Sequence, residues 1–320
     1  MTGEERIGNQ TPFIFDMSTL DLYLMIFKGA TIFIIPEQHF IFPAKLLEFI
    51  NEHQINFIFW VPSVLINIAN FKLLDTISVP SLKKVLFGGE VMPSKHLGYW
   101  VNALGRDLVY GNLYGPTEIT GTCSCYIVDE HFDENEPLPI GTPCRNTDIL
   151  ILNDKDKRCE IGEHGELCVR GTCLSNGYWN NPEKTAKVFV QNPLNTRYPE
   201  LIYRTGDIVY QHENGNIMYI GRKDFQIKHF GYRIDIGEIE HAVLTAFGSI
   251  NACVIYNQSK REIILVYEAK EEIKATDFRK QLTPLLSKYM IPTRYVFMNE
   301  LPKTLNGKID RTTLSKQLGN

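Results

Sequence analysis

From residue 45 to residue 115 short apolar runs alternate with stretches of helical period, and this alternation limits the fold more than any other feature of the chain. The runs 56–60, 82–87 and 107–113 have strand length and are rich in Ile, Phe, Leu and Val. A segment after Pro62 and another over 93–104 read as helices between them. Strand, helix, strand in repetition predicts a parallel sheet with helices on its faces, because parallel neighbours need a crossover. Ligands of such sheets collect at the carboxyl ends of the strands. Two of those ends carry unusual residues: Gly88-Gly89-Glu90, and Tyr114-Gly115-Pro116-Thr117-Glu118.

The pattern changes twice downstream. Over 129–222 the helical period fades, and 147–152, 166–170, 201–210 and 217–220 read as strands parted by polar turns such as Glu213-Asn214-Gly215-Asn216. That is a small β unit, barrel-like in its run of short strands. Beyond Arg222 come a helix over 237–247, strands at 252–256 and 262–267, a helix over 276–288 and a last strand near Tyr295. The expected fold class is α/β: a parallel-sheet subdomain to about residue 128 and a β-barrel-like subdomain over 129–222, together one large domain (1–222), followed by a small α+β domain over 225–320.

Charge and composition exclude several functions. A net charge of −4 without a basic stripe does not suit a nucleic-acid binder, whose affinity comes from displaced counterions. The longest apolar run, 57–66, contains Pro62 and Ser63 and falls short of the roughly 20 residues a membrane helix needs. Seven cysteines with neither CxxC nor Cys/His ligand spacing suit reduced thiols of a cytoplasmic protein.

Near the C-terminus, Asn306-Gly307 supplies a turn that can present Lys308 at a loop tip, just before Asp310-Arg311. It is either a solvated turn lysine or a mobile cation for phosphate chemistry. It is not a P-loop, since Pro302 and Ile309 stand at the first and last places of Gly-x-x-x-x-Gly-Lys-Ser/Thr. Gly88-Gly89 lets a flat ring or a phosphate approach the backbone, with Glu90 at the rim, or is a simple strand-to-helix turn. Tyr114 through Glu118 combine an aromatic face, a tight turn, a hydroxyl and a carboxylate, enough to hold a base, a phosphate and Mg2+. In Tyr203-Arg204-Thr205-Gly206-Asp207 the glycine is expected to force a turn that presents Asp207 to a ribose or to a salt bridge. The charges and glycines of 221–233 read as a hinge or as a solvated linker.

These segments, in this order, resemble the adenylate-forming (AMP-binding) superfamily, most closely amino-acid adenylation domains of nonribosomal peptide synthetases and D-alanine:carrier-protein ligases. The resemblance spans nearly the whole chain. It rests on Phe15-Asp16-Met17-Ser18, Phe87-Gly88-Gly89-Glu90, Asn112-Leu113-Tyr114-Gly115-Pro116-Thr117-Glu118, Gly165-Glu166-Leu167-Cys168-Val169-Arg170-Gly171, Tyr203-Arg204-Thr205-Gly206-Asp207, Gly221-Arg222-Lys223-Asp224 with Gly231-Tyr232-Arg233, and Asn306-Gly307-Lys308.

The resemblance implies ATP and Mg2+ as cofactors, a nucleotide site that includes Gly88, Gly89, Glu90, Asn112 and Gly115, and Tyr114 against adenine. Thr117 and Glu118 would act on phosphate and metal, Asp207 and Arg222 would hold the ribose, Asp224 would be the hinge and Lys308 the catalytic cation. Asp16 would pair with the ammonium of an amino-acid substrate, or else cap the helix beginning near Ser18. Met17, Leu20, Phe59, Leu86, Gly88, Leu113, Gly121 and Thr122 would line the side-chain pocket, apolar and opened by two glycines. That suits a hydrophobic, bulky amino acid or D-alanine. The acyl group would pass from AMP to the thiol of a phosphopantetheinylated carrier protein, with neither nucleic acid nor membrane as partner.

The family's Ser/Thr/Gly-rich phosphate loop and the front half of the large domain have no counterpart in this sequence. The expectation is therefore a C-terminal portion with an exposed sheet edge and apolar face, weak ATP binding and poor turnover. An acyl-CoA synthetase segment and a non-catalytic nucleotide- or carrier-binding fragment are the alternative readings.

Overall fold

A computed structural model describes residues 2–223, 226–247, 250–269, 271–303 and 309–319. Contacts divide the chain into two units, Met1–Lys223 and Asp224–Asn320.

The first unit opens with seven strands of one sheet: β1 (Arg6–Asn9), β2 (Thr31–Ile34), β3 (Phe57–Trp60), β4 (Lys84–Gly88), β5 (Val109–Tyr114), β6 (Ser124–Ile127) and β7 (Thr142–Pro143), in the order β2-β1-β3-β4-β5-β6-β7. The first five of that order are parallel, and β6 and β7 add antiparallel. Between the strands run α1 (Thr19–Lys28), α2 (Glu37–Ile41), α3 (Pro43–Glu52), α4 (Pro62–Asn70) and α5 (Ser94–Leu104). Proline opens α3 and α4, where its missing N–H costs nothing, and Gly29 at φ +76 closes α1.

Strand period two sorts β3 onto both faces. Ile58 and Trp60 join Val85, Phe87 and Tyr110 under α3, α4 and α5, which contribute Leu46, Leu65 and Trp100 among others. Phe57 and Phe59 join Ile7, Leu24 and Leu86 on the α1 side. Two indole N–H groups in the first cluster are satisfied: Trp60 donates to Gly8 O at 2.7 Å, Trp100 to Leu65 O at 3.0 Å.

The α1 side is thinly covered. Helix α1 buries Asp21 and Leu24, whereas Tyr23, Met25, Ile26 and Phe27 are exposed, as are Ile34 on the outermost strand and Ile41 and Phe42 beyond it. An edge strand beside exposed apolar side chains favours association.

Asp21 is 2% exposed and accepts from Asn9 Nδ2 at 2.9 Å, while its Oδ1 has no partner among the described residues. Burial pushes its carboxyl up to about 6, against the opposing Asn9 hydrogen bond. Between pH 4 and 6, roughly, folded Asp21 keeps a proton that the unfolded chain has lost. Stability therefore falls as pH rises through that window, by about 2 to 3 kcal/mol at most. Asp21→Asn is expected to remove the slope and raise the urea midpoint at pH 8 more than at pH 4.5. A variant that keeps the wild-type slope would contradict this origin.

The rest of the first unit is a curled five-stranded sheet: β8 (Thr147–Leu152), β9 (Gly165–Gly171), β10 (Phe189–Gln191), β11 (Leu201–Gln211) and β12 (Ile217–Arg222), ordered β10-β11-β9-β8 with β12 on β11. One short helix, α6 (Pro182–Val188), interrupts it. Asn181 caps that helix by accepting from Lys184 N at 3.0 Å. Residues 203–207 are not a turn. β11 runs straight through them, and Gly206 at φ +73 marks an irregularity in its register with β9. A glycine inside a strand is spent on a bulge here, which re-aims the following side chain.

In the second unit, β13 (Gln226–His229) and β14 (Tyr232–Asp235) form a hairpin. The strands β15 (Asn251–Asn257), β16 (Glu262–Glu268) and β17 (Arg294–Met298) form a sheet, antiparallel then parallel. Helices α7 (Ile236–Phe247) and α8 (Ala275–Leu282) cover one face, α9 (Arg311–Gln317) the other. The helix expected over 276–288 stops at Leu282: Thr283 is still helical at φ −56, ψ −39, but Pro284 has no N–H with which to make the next helical hydrogen bond.

All seven cysteines are free thiols, and among the described residues no helix is long and apolar enough to cross a membrane.

Candidate active site

The carboxyl ends of β1, β3, β4 and β5 lie side by side, as the sheet order requires. Gln10, just past β1, accepts from Val61 N at 3.2 Å with its side chain, which ties two of those ends together. Asn9 does the same for the loop that follows, donating to Thr11 O at 3.2 Å. That loop leads into a single helical turn, Asp16–Ser18, where Asp16 Oδ1 accepts from Met17 N at 2.9 Å. The half-buried Asp16 thus closes its own turn through one oxygen.

Gly88 is the last residue of β4, and a Cβ there would meet Leu113 O at 2.5 Å and come within 3.5 Å of the Phe59 ring. Gly89, at φ +88, would place a Cβ 3.7 Å from Met17 Sδ. The expected pocket residues Met17, Leu20, Phe59, Leu86 and Leu113 pack in one apolar cluster. Gly121, at φ +100, and Thr122 sit on the loop after Glu118. Glu90 reaches α4, where its Oε2 accepts from Ser63 N at 2.9 Å, a favourable place for a carboxylate at a helix N-terminus.

At the end of β5, Asn112 donates to Pro139 O at 2.7 Å. Gly115 admits no side chain, since a Cβ would lie 2.0 Å from Gly121 O. The loop 115–121 closes on itself through that contact. Thr117 is exposed and Glu118 buried on the turn Thr117–Ile119. Thr120 follows at φ +61, a strained region for a β-branched residue.

Tyr114 connects this sheet to the curled one. Its ring is 5% exposed and its hydroxyl donates to Asp207 Oδ2. Burial, then the Asp207 charge, pushes that hydroxyl well above the ordinary tyrosine range, so it stays a donor. Arg222 Nη1 donates to Asp207 Oδ1 at 2.9 Å and Nη2 to Thr205 O at 3.0 Å. The bulge at Gly206 aims Asp207 at both partners, which the register Asp207↔Arg222 sets opposite each other. Each carboxylate oxygen keeps a second lone pair, which a ribose hydroxyl can use.

Tyr178 was not anticipated from the sequence. Its hydroxyl donates to Glu118 Oε1 at 2.5 Å across sixty residues of chain. The signal available was Gly177-Tyr178 shortly after a strand. Thr205, which donates to Leu167 O at 2.7 Å and accepts from Asp207 N at 3.0 Å, was also missed.

Gly88, Gly89, Glu90, Leu113, Tyr114, Glu118, Asp207 and Arg222 are thus linked by direct contacts, by adjacent strand ends or by the loop after β5 within the first unit, and Asp16 is next in sequence to Met17, which packs in the apolar cluster with Leu113. Lys308 and Asp224 lie outside the described residues. Among the described residues no three His, Cys, Asp or Glu side chains form a group able to hold a metal unaided. Glu118 is a single hard carboxylate. That suits Mg2+, which is commonly held by one or two carboxylates and substrate phosphates.

Comparison with known proteins adds a family. The AMP-binding enzyme family matches residues 1–179. Zwittermicin A synthase ZmaJ of Bacillus cereus is 33% identical over 98% of the chain and 61% of its own length. An L-proline:L-prolyl-carrier-protein ligase of Pseudomonas fluorescens is likewise 33% identical, over 98% of the chain and 61% of its own. The crystal structure of the Vibrio cholerae adenylation domain AlmE, in complex with glycyl-adenosine-5'-phosphate, superposes with a TM-score of 0.85. It is 26% identical and covers 99% of this chain and 59% of its own. The chain therefore spans about three fifths of the length of these relatives.

Proposed function

We propose, of a chain that belongs to the AMP-binding enzyme family, that it carries the amino-acid and adenosine ends of an aminoacyl-adenylate site. The whole protein then activates an amino acid with ATP, releases pyrophosphate, and transfers the aminoacyl group to the phosphopantetheine thiol of a carrier protein. It works in the cytoplasm, where seven unpaired cysteines stay reduced.

The observation that carries this reading is the Tyr114–Asp207–Arg222 network, which joins the end of β5 to the curled sheet beside Thr117 and Glu118. Asp207 accepts from the ribose hydroxyls and Arg222 holds its carboxylate in place. Tyr114 stacks its ring on adenine. The Thr117 hydroxyl, exposed at its turn, donates to a phosphate oxygen. Glu118 holds Mg2+, whose chemistry is to neutralise charge that builds on the phosphates.

At the other end Asp16 reads the substrate ammonium. Among the described residues its Oδ2 has no hydrogen-bond donor, so that oxygen is available to the cation. Lys308 balances the charge of the substrate carboxylate and the α-phosphate as a carboxylate oxygen attacks phosphorus and pyrophosphate leaves. The relatives named above support this chemistry in their own descriptions: one ligates proline to a carrier protein, another holds glycyl-AMP.

Exchange of labelled pyrophosphate into ATP, run over a panel of amino acids and of the same acids lacking the amino group, tests the reading. It should be run on this chain and on one extended to the length of its relatives. Amino-acid-dependent exchange by the extended chain is expected. Exchange that responds to carboxylic acids regardless of the amino group would favour an acyl-CoA synthetase instead.

A further inference from the structure

The segment after β9 straps the turn that carries Glu118. Thr120 Oγ1 donates to Cys173 O at 3.0 Å, Ser175 N to Glu118 O at 2.9 Å, and the Tyr178 hydroxyl to Glu118 Oε1 at 2.5 Å. One of these ties joins the two backbones, and one holds the Cys173 carbonyl through the Thr120 side chain. The third fixes the carboxylate itself.

The strap is held as firmly on its far side. Tyr178 N donates to Thr185 Oγ1 at 2.9 Å, and the Tyr178 ring meets Phe189 edge-on with centroids 6.2 Å apart. The Lys184 ammonium stands 5.0 Å above the same ring. Gly177, at φ +110, makes the bend that turns Tyr178 toward Glu118, and a Cβ there would collide with Thr185 Cγ2 at 2.4 Å. A short hydrogen bond between a hydroxyl and a carboxylate is strong only when its partners are held in line, and here both backbones are pinned.

We infer that Tyr178 is the positioning residue of the metal-binding carboxylate: by donating to Oε1 it fixes the rotation of Glu118, so that the carboxylate meets a divalent cation in one orientation. The inference rests on Glu118 being the Mg2+ ligand proposed above. Carboxylate ligands are oriented by outer hydrogen bonds, and loss of such a partner typically lowers metal affinity about 10- to 100-fold. Burial, then the bond to Glu118, raises the Tyr178 hydroxyl far above the ordinary tyrosine range, so it remains a donor at any working pH.

The test uses Mn2+ as probe, followed by its paramagnetic resonance, with a non-hydrolysable ATP analogue and the full chain. Tyr178→Phe keeps the ring, with its Phe189 and Lys184 contacts, and removes the donor. It is expected to weaken the Mn2+-dependent part of nucleotide binding about tenfold. Nucleotide affinity in EDTA and the urea midpoint should stay near wild type. Lys184→Met, which spares the hydroxyl, should leave the Mn2+ component unchanged. Full retention of that component in Tyr178→Phe overturns the inference alone, as does an equal loss of affinity with and without metal. A wild-type chain with no Mn2+-dependent component would overturn the Glu118 assignment and the inference with it.

Discussion

Lys308→Ala is expected to lower aminoacyl-adenylate formation by about 10²- to 10³-fold, the usual cost of removing one preorganised donor aimed at developing charge. ATP affinity should change little, because the adenosine end of the site is assigned to Tyr114, Asp207 and Arg222, which hydrogen-bond to one another. The two effects separate the roles. A quench-flow measurement of adenylate, paired with equilibrium ATP binding, reads both. Equal rates in the variant and the wild type would remove Lys308 from the chemistry, and a parallel loss of ATP binding would make it a binding residue only.

The second large effect concerns the substrate's amino group. An acid otherwise identical to the substrate but lacking that group should be rejected by about 10⁴-fold, since in the proposed role it leaves Asp16 without its cation. Asp16→Asn should erase most of that preference. The structure gives Asp16 a local duty as well, because its Oδ1 accepts from Met17 N, but asparagine preserves that bond through its amide oxygen. An Asp16→Asn chain that still prefers the amino acid would reduce Asp16 to a turn-forming residue. Relative exchange rates for the matched pair of acids, in wild type and variant, decide it.

The parallel sheet was legible because β3, β4 and β5 are apolar, short and separated by recognisable helices. β1 and β2 were not. They have four residues each, β1 includes Gly8 and Asn9, and β2 is an edge strand with little burial, so neither shows a clean period. Gly206 misled the local reading: glycine after threonine usually marks a turn, and only the pairing of β11 with β9 and β12 shows that the chain continues as a strand.

Site residues within one short motif were readable as units, since their spacing alone brings them together. Contacts made by tertiary folding were not. The Tyr178–Glu118 bond and the Asn9–Asp21 bond join segments whose proximity no local pattern encodes, and their residues look ordinary in sequence. Glu90 illustrates the opposite case, a carboxylate chosen for its motif that also serves the N-terminus of α4.

The central claim is that one cleft reads adenosine through Tyr114, Asp207 and Arg222 and an ammonium through Asp16. Calorimetric binding of a hydrolysis-resistant aminoacyl-sulfamoyl adenosine, compared with the same compound lacking its amino group, tests it most directly. The amino compound should bind more tightly to the wild-type chain, the difference should vanish in Asp16→Asn, and Asp207→Ala should weaken both compounds alike. Equal binding of the two compounds to the wild type, or indifference to Asp207→Ala, would contradict the account.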